Sequence, residues 1–194
     1  MSLIARLDDA RRRRNILEHP FYTRWEHGEL TRDELSAYAG EYRHAVVALA
    51  DAAELAGSEH AAEEREHVAL WEEFATELDS DLVRAPRPET ERCAAAWTSA
   101  EDPLEALAIL YAIEAGQPEV SRTKLTGLVQ HYGFEEHGAG TSYFRLHAEL
   151  DHEHAAESRE LLERHAKPED KDRLVAAAER ALDGNWALLD GVSS

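Results

Sequence analysis

The sequence predicts an all-α fold, a bundle of seven or eight helices, and three observations support this prediction. Alanine, leucine and glutamate, which are good helix formers, are abundant along almost the whole chain. Apolar residues recur at helical spacing, and no segment shows the two-residue alternation of a half-buried strand. Capping residues, prolines and glycines divide the chain into segments of helical length. The chain has 194 residues, 43% of them hydrophobic and 31% charged, so we expect one core and a single domain over residues 1–194.

Proline, glycine and a capping box divide the first half of the chain. Pro20 ends the first predicted helix, and Gly28 ends a short second helix that carries an aromatic cluster. Thr31 and Glu34 have the spacing of a capping box, which predicts the start of a long helix, and Gly57 marks its end. The predicted helices of this half cover about 3–17, the short segment between Pro20 and Gly28, 31–56 and 59–78, and a proline-containing loop covers 79–88.

The second half shows similar start and stop signals. The run Asp102-Pro103-Leu104-Glu105 supplies an N-cap, a proline at the first helical position and a glutamate two positions later. Gly116-Gln117-Pro118 predicts a kink or a break. A glycine-rich loop covers 133–140, after which Thr141 is a candidate cap, and Pro168 opens the last helix. The predicted helices cover about 89–98, 103–114 with a continuation to 132, 141–165 and 168–189.

Charge and cysteine content exclude several classes of function. The chain carries 40 acidic and 21 basic side chains, a formal charge of −19, which argues against nucleic acid and anionic membranes as partners. The single cysteine, Cys93, excludes an internal disulfide framework and fits a reducing compartment. The first residues contain no long apolar stretch, so we expect no signal peptide, no transmembrane helix and a cytoplasmic location.

The run 147–154 contains the strongest chemical signal in the sequence. His147, Asp151 and His154 stand at positions i, i+4 and i+7, so on a helix they share one narrow stripe. Two imidazoles and a carboxylate are good ligands for iron, manganese or zinc. The alternative is a solvated acidic helix face that carries histidines by chance, so the prediction of a metal site depends on ligands from other segments.

Two other helices offer such ligands. Glu63 and Glu64 precede His67 by four and three residues, so either carboxylate shares a helix face with that imidazole, and the sequence does not separate them. Glu114 ends the otherwise apolar run Leu110-Tyr111-Ala112-Ile113, where an unpaired carboxylate would be costly to bury. A dinuclear site in a helical bundle uses about four carboxylates and at least two histidines from several helices, and these residues could provide them.

Six segments, in order along the chain, carry a resemblance to a known family. They are Glu18-His19-Pro20-Phe21-Tyr22-Thr23-Arg24-Trp25, Gly28-Glu29-Leu30-Thr31, His67-Val68-Ala69-Leu70-Trp71, Tyr111-Ala112-Ile113-Glu114, Lys124-Leu125-Thr126-Gly127-Leu128 and Tyr143-Phe144-Arg145-Leu146-His147. Together they resemble the CADD-like family, relatives of the chlamydial protein associating with death domains. The resemblance implies a haem-oxygenase-like seven- to eight-helix bundle and a dinuclear Fe/Fe or Mn/Fe centre that activates O2 with an external reductant. The implied metal ligands are Glu63 or Glu64, His67, Glu114, His147, Asp151 and His154.

The same resemblance implies para-aminobenzoate synthesis for folate, with the ring taken from a tyrosine of the protein itself. Tyr22 matches the sacrificed tyrosine, Tyr38 a nearby tyrosine, and Lys124 the proposed nitrogen donor. The sequence departs from the family at two places. Ile113 replaces the tyrosine before the central glutamate, and His60 stands where the family has a glutamate seven residues before the histidine.

Three other functions stay open at this point. The same metal site could oxidise an external small molecule, such as an amino acid or a fatty acid, because the ligands do not define the substrate pocket. A metal-free enzyme of the thiaminase or pyrroloquinoline-quinone-synthesis type would need Cys93 in the pocket, whereas its alanine-rich surroundings favour simple packing. A helical interaction protein would bind no metal. The resemblance also implies a homodimer.

Overall fold

The computed structural model describes residues 1–193, except for the side chain of Leu150. Within this part of the chain there are nine α-helices, three short 3-10 turns and no strand, so the predicted all-α fold is confirmed. None of these helices is long and apolar enough to cross a membrane. The helices are α1 Leu3–Arg13, α2 Pro20–Glu26, α3 Arg32–Ala56, α4 Ala61–Glu77, α5 Pro88–Trp97, α6 Pro103–Glu114, α7 Gln117–His131, α8 Ser142–His165 and α9 Lys171–Val192.

Most of the predicted boundary signals operate as expected. Thr31 and Glu34 form the complete capping box of α3, and Gly57 ends that helix with a left-handed φ of 68°. The Asp102 side chain accepts a hydrogen bond from the backbone N–H of Glu105 at 3.0 Å, with Pro103 at the first position of α6.

The described helices number nine rather than the predicted seven or eight, because α6 and α7 are separate helices. Gly116 lies between them, and Pro118 sits in the first turn of α7. Proline has no N–H to donate, and its ring clashes with the carbonyl group four residues earlier, so one helix ends here and another begins.

Two local predictions were wrong. The first helix ends at Arg13 rather than near residue 17, because Asn15 caps a separate 3-10 turn by accepting a hydrogen bond from the N–H of Leu17 at 3.2 Å. Thr141 stands at the start of α8 but makes no side-chain cap. Its hydroxyl instead lies 2.9 Å from the carbonyl oxygens of Glu135 and Glu136, to which it donates, so it closes the preceding loop.

Helix α6 is the central element of the described bundle. Every residue from Glu105 to Glu114 is buried, and the helix packs against α3, α8 and α9. Helix α4 packs against α3 and α8. The inward faces of α4, α6 and α8 therefore converge, and these three helices carry the predicted metal ligands. The extent of the predicted single domain, residues 1–194, stays a prediction.

Candidate metal centre

Helix α4 presents one carboxylate and one imidazole to the interior. Glu64 and His67 are one turn apart and only 2% and 5% exposed, with His67 Nδ1 3.4 Å from Glu64 Oε1. Glu63 lies on the outer face of the same turn, and its side chain is 54% exposed. The fold therefore separates the two glutamates that the sequence could not, and it places Glu64 in the interior.

Helix α8 places its three candidate ligands on one buried stripe, as the spacing predicts. His147, Asp151 and His154 are 2%, 1% and 3% exposed. His147 Nδ1 lies 2.8 Å from the carbonyl oxygen of Tyr143, to which it can donate only as Nδ1–H. That hydrogen bond leaves Nε2 with its lone pair free for a metal ion, a common arrangement for metal-binding histidines.

The third helix, α6, contributes Glu114 at its C-terminal end, where it is 4% exposed. In two sets of three buried residues the potential ligand atoms lie within 4.8 Å of one another. One set is Glu64, His67 and His147, and the other is Glu64, Glu114 and His154. Asp151 Oδ1 lies 3.9 Å from His154 Nδ1, beside the second set. Glu64 belongs to both sets, and together the two sets could hold two metal ions.

Unpartnered polar atoms in this cluster support the same interpretation. Buried polar groups are nearly always hydrogen-bonded, since leaving one without a partner costs about 1–3 kcal/mol. Five of the six residues nevertheless each have a buried atom with no hydrogen-bond partner in suitable geometry. These atoms are His67 Nδ1, Glu114 Oε2, His147 Nε2, Asp151 Oδ2 and His154 Nδ1. Metal ions would supply the missing partners, so the residues present fit a dinuclear centre.

The electrostatics of the cluster also favour cations. Burial, followed by the nearby charge of Glu64, raises the pKa of Glu114 to about 8. Burial, followed by the nearby charges of Glu114 and Glu64, raises the pKa of Asp151 well above its usual value. Burial raises the pKa of Glu64 too, but the imidazoles of His154 and His67, each with a nitrogen within 3.4 Å of Glu64 Oε1, outweigh it and lower that pKa to about 2. The cluster therefore holds protons that divalent cations could replace.

His60 and Glu63 form a separate group on the outer side of His154. The Nδ1 atom of His60 lies 3.2 Å from Glu63 Oε2, and its ring stacks on His154 with centroids 4.1 Å apart. His60 occupies the family's glutamate position seven residues before His67, and the fold keeps it outside the buried cluster.

The other predicted group, Tyr22, Tyr38 and Lys124, forms a compact cluster of its own. The hydroxyl oxygens of Tyr22 and Tyr38 are 2.8 Å apart. Lys124 is 2% exposed, and its Nζ lies 4.9 Å from the Tyr22 ring centroid and 4.8 Å from that of Tyr42. Trp71 and Phe144 complete the ring of aromatic side chains around it.

This aromatic environment changes the chemistry of Lys124. Burial lowers its pKa from 10.5 to about 7, so a large fraction of the side chain is a neutral, nucleophilic amine near neutral pH. Burial also raises the pKa values of Tyr22 and Tyr38 well above the usual value, so both phenols stay protonated.

Two aromatic residues that the sequence reasoning did not select as site residues link this cluster to the metal ligands. Tyr143 stacks on His147 with ring centroids 3.9 Å apart, and Trp71 lies 4.9 Å from Tyr143 and 5.8 Å from Tyr38. Tyr143 precedes His147 by four residues, and this helical spacing was a signal that could have identified it.

Cys93 lies on α5, a helix that carries none of the candidate metal ligands. It is fully buried on α5, where its Cα is 3.1 Å from the position a Cβ would take on Gly184 of α9. Burial raises the pKa of its thiol far above the usual value, which keeps it in the unreactive thiol form. The geometry agrees with the predicted packing role.

A surface pocket of about 280 Å³ lies at the break between α6 and α7. Asp151 forms part of its wall, together with Ala115 and Pro118 beside the helix break. Arg11 and Arg159 also line it. The interruption of the helix thus leaves a surface pocket next to one of the candidate ligands, Asp151.

Comparisons with known proteins agree with this geometry. Residues 29–186 match the family model described as iron-containing redox enzyme. The chain is 30% identical to a 4-aminobenzoate synthase from Nitrosomonas europaea over 92% of this chain and 86% of that protein. It is 29% identical to a 4-aminobenzoate synthase from Chlamydia muridarum, over 98% and 89% of the two chains.

Similarity to a solved structure extends over the whole fold. A domain from Shewanella denitrificans with a haem-oxygenase-like fold superposes with a TM-score of 0.74 at 20% identity, covering 98% of this chain and 88% of that one. This similarity confirms the predicted fold. The family match covers most of the chain and carries the stronger conclusion: the protein belongs to the family of iron-containing redox enzymes and is an oxidative enzyme with the haem-oxygenase-like fold.

Proposed function

We propose that this protein is a non-haem dimetal oxidase that makes 4-aminobenzoate from its own Tyr22, with Lys124 as the nitrogen donor. One observation carries the proposal: the Nζ atom of Lys124 lies 4.9 Å from the ring centroid of Tyr22 in an enclosed aromatic cluster. That cluster is connected by ring contacts to the buried carboxylate and histidine cluster. The two relatives named 4-aminobenzoate synthase support the same product.

The metal ligands in this proposal are Glu64, His67, Glu114, His147, Asp151 and His154. When bound, an Fe/Fe or Mn/Fe pair supplies the capacity to activate O2, with electrons from an external reductant. Glu64 is the carboxylate common to both donor sets, and its low pKa keeps it ionised. The pocket beside Asp151 is the side of the centre from which we expect O2 to enter.

The side chains around Tyr22 prepare its ring for oxidation. Tyr38 holds the Tyr22 hydroxyl by a hydrogen bond of 2.8 Å, which fixes the orientation of that phenol. The ring contacts through Trp71 and Tyr143 offer electrons a route from this pair toward His147. Burial of all these rings keeps water away from a reactive ring.

The chemistry of the product assigns a role to Lys124. Tyrosine and 4-aminobenzoate are both para-substituted benzenes, so the conversion replaces the phenolic oxygen by nitrogen. It also oxidises the Tyr22 Cβ to a carboxylate and breaks the Cα–Cβ bond, with O2 as the oxidant. A neutral amine has the lone pair that forming the C–N bond needs, and the pKa of about 7 provides it. The phenolic oxygen then leaves as water, and the Cε–Nζ bond of Lys124 breaks with Cε oxidised to an aldehyde, so that the nitrogen leaves with the ring.

The proposal is tested by loading the protein anaerobically with Fe(II), with and without Mn(II), and then adding O2 and a reductant. Mass spectrometry should detect 4-aminobenzoate and a loss of mass from the peptide that contains Tyr22. Protein labelled with nitrogen-15 lysine should yield labelled product. Tyr22→Phe and Lys124→Arg should abolish the product, whereas the matched changes Tyr111→Phe and Lys167→Arg should not. Product formation unchanged in Tyr22→Phe would refute self-processing.

A second candidate function, oxidation of an external small molecule, is favoured by one observation. A cavity of about 590 Å³ lies beside the α6–α7 break and is lined partly by Ile113, the neighbour of Glu114. Arg11 and Arg14 also line it and could bind a carboxylate group. Uptake of two metals with O2 consumption and an intact Tyr22 would select this function. The predicted homodimer and cytoplasmic location stay predictions.

A further inference from the structure

A second group of potential metal ligands lies between the buried cluster and the solvent. It consists of His60, Glu63 and Glu157, which we name the outer cluster. The Nδ1 atom of His60 lies 3.2 Å from Glu63 Oε2, and its Nε2 atom lies 3.4 Å from Glu157 Oε2. Together with His154, the ligand atoms of His60 and Glu63 fall within 4.8 Å of one another.

His154 separates the outer cluster from the buried one and faces both. Its Nδ1 atom lies 3.2 Å from Glu64 Oε1 on the inner side, and its Nε2 atom lies 3.7 Å from Glu63 Oε2 on the outer side. The inner nitrogen has no hydrogen-bond partner in suitable geometry. One imidazole is therefore within reach of ions in either position.

Exposure rises steadily across the two clusters. The side chains of Glu64 and His154 are each 3% exposed, His60 and Glu157 are 28% and 25% exposed, and Glu63 is 54% exposed. A hydrated divalent cation can thus reach the outer cluster while it keeps part of its water shell. The inner ligands are accessible only to an ion that has lost most of its water.

We propose that the outer cluster is a loading site, where a divalent cation of the iron or manganese type binds first and from which it passes by way of His154 to the buried centre. This inference rests on the proposed dinuclear centre. The two imidazole nitrogens and one carboxylate of His60, His154 and Glu63 suit these ions. Glu157, on the other side of the His60 ring, adds a second carboxylate at the opening, and such carboxylates raise the local cation concentration and the rate of capture. Stepwise exchange of water for protein ligands avoids full dehydration in one step.

The test measures the rate of metal uptake separately from the final metal content. Co(II) alone is the probe, mixed anaerobically with the full-length protein, and its visible absorption reports binding to nitrogen and carboxylate ligands. Elemental analysis gives the final metal content. The variants are Glu63→Gln, Glu157→Gln and His60→Asn, and Glu66→Gln is the matched control because it makes the same change at an exposed position of α4.

The loading site predicts that Glu63→Gln slows uptake about tenfold while the final content stays equal to that of the wild type, which we expect to be two ions per chain. Glu157→Gln and His60→Asn should also slow uptake, and Glu66→Gln should not. Uptake at the wild-type rate in all three variants would overturn the proposal. A lower final content in Glu63→Gln would also overturn it, because Glu63 would then be a permanent ligand. Wild-type protein that binds no metal would instead refute the proposed function itself.

Discussion

Replacing Lys124 by methionine should stabilise the metal-free protein. The perturbation exchanges a buried amine for an apolar side chain of similar length among the rings of Tyr22, Tyr42 and Trp71. In the unfolded chain the lysine is charged below its ordinary pKa of 10.5, whereas burial lowers that pKa to about 7 in the folded protein. Folding near neutral pH therefore has to deprotonate or bury a cation, and methionine removes this cost.

The magnitude follows from linkage between protonation and folding. A pKa lowered from 10.5 to about 7 corresponds to a ceiling of about 5 kcal/mol at pH 7 and below, at ~1.4 kcal/mol per tenfold change. Because the pKa of Lys124 is lower in the folded protein, the lysine costs wild type no folding free energy above pH 10.5. Wild type then loses stability as the pH falls from 10.5 toward 7. Lys124→Met should thus gain about 3–5 kcal/mol at pH 7 but only about 1–2 kcal/mol at pH 9.5.

The assay is urea unfolding of wild type and Lys124→Met at pH 7 and pH 9.5, followed by circular dichroism. Ionisation of the tyrosines affects both proteins equally, so the difference between them isolates Lys124. Lys167→Met, an exposed lysine, serves as the control and should change the unfolding free energy by at most about 0.5 kcal/mol. A gain below ~1 kcal/mol that does not vary between the two pH values would refute the buried neutral amine.

Three further predictions test the metal centre, the packing and the cysteine. Glu64→Gln should lose at least one of the two proposed metal ions, as measured by elemental analysis, because this carboxylate belongs to both donor sets. Gly127→Ala should lower the free energy of unfolding, measured in urea, by about 1–3 kcal/mol, because its Cβ would lie 2.6 Å from Trp25 Cδ1. Gly116→Ala is the control, because the nearest atom to a Cβ at Gly116 is 3.4 Å away. Cys93→Ala should keep full product formation, and a loss of product in a folded variant would revive the thiaminase-type mechanism.

Much of the fold was predictable because its signals are local. The capping box at Thr31 and the proline at position 103 act through neighbouring backbone groups, and the structure has both. Thr141 failed because its hydroxyl had a choice of partners. The loop before α8 brings the carbonyl oxygens of Glu135 and Glu136 to it, and only the folded loop reveals that choice.

The candidate site also has residues that the sequence predicts and residues that only the folded structure places. The stripe of His147, Asp151 and His154 follows from helical periodicity, and the structure buries all three. Helical periodicity does not decide between Glu63 and Glu64, since both share a helix face with His67. The choice depends on how α4 is rotated against α8, which is a tertiary property. Lysine is usually exposed, so the burial of Lys124 was predictable only through the family resemblance.

Aromatic rings lie between the Lys124 cluster and the cluster of candidate metal ligands. They allow a neutral amine and a cation-attracting acidic cluster to exist in the same bundle. A carboxylate beside Lys124 would favour the ammonium form and raise its pKa, but burial alone accounts for the lowered value. Trp71 and Tyr143 lie between the lysine cluster and His147, so the acidic cluster can attract cations without charging the amine. The same two rings provide the contacts through which electrons could leave Tyr22. Insulation of charge and a path for electrons are therefore compatible, because aromatic rings are apolar and still electronically accessible.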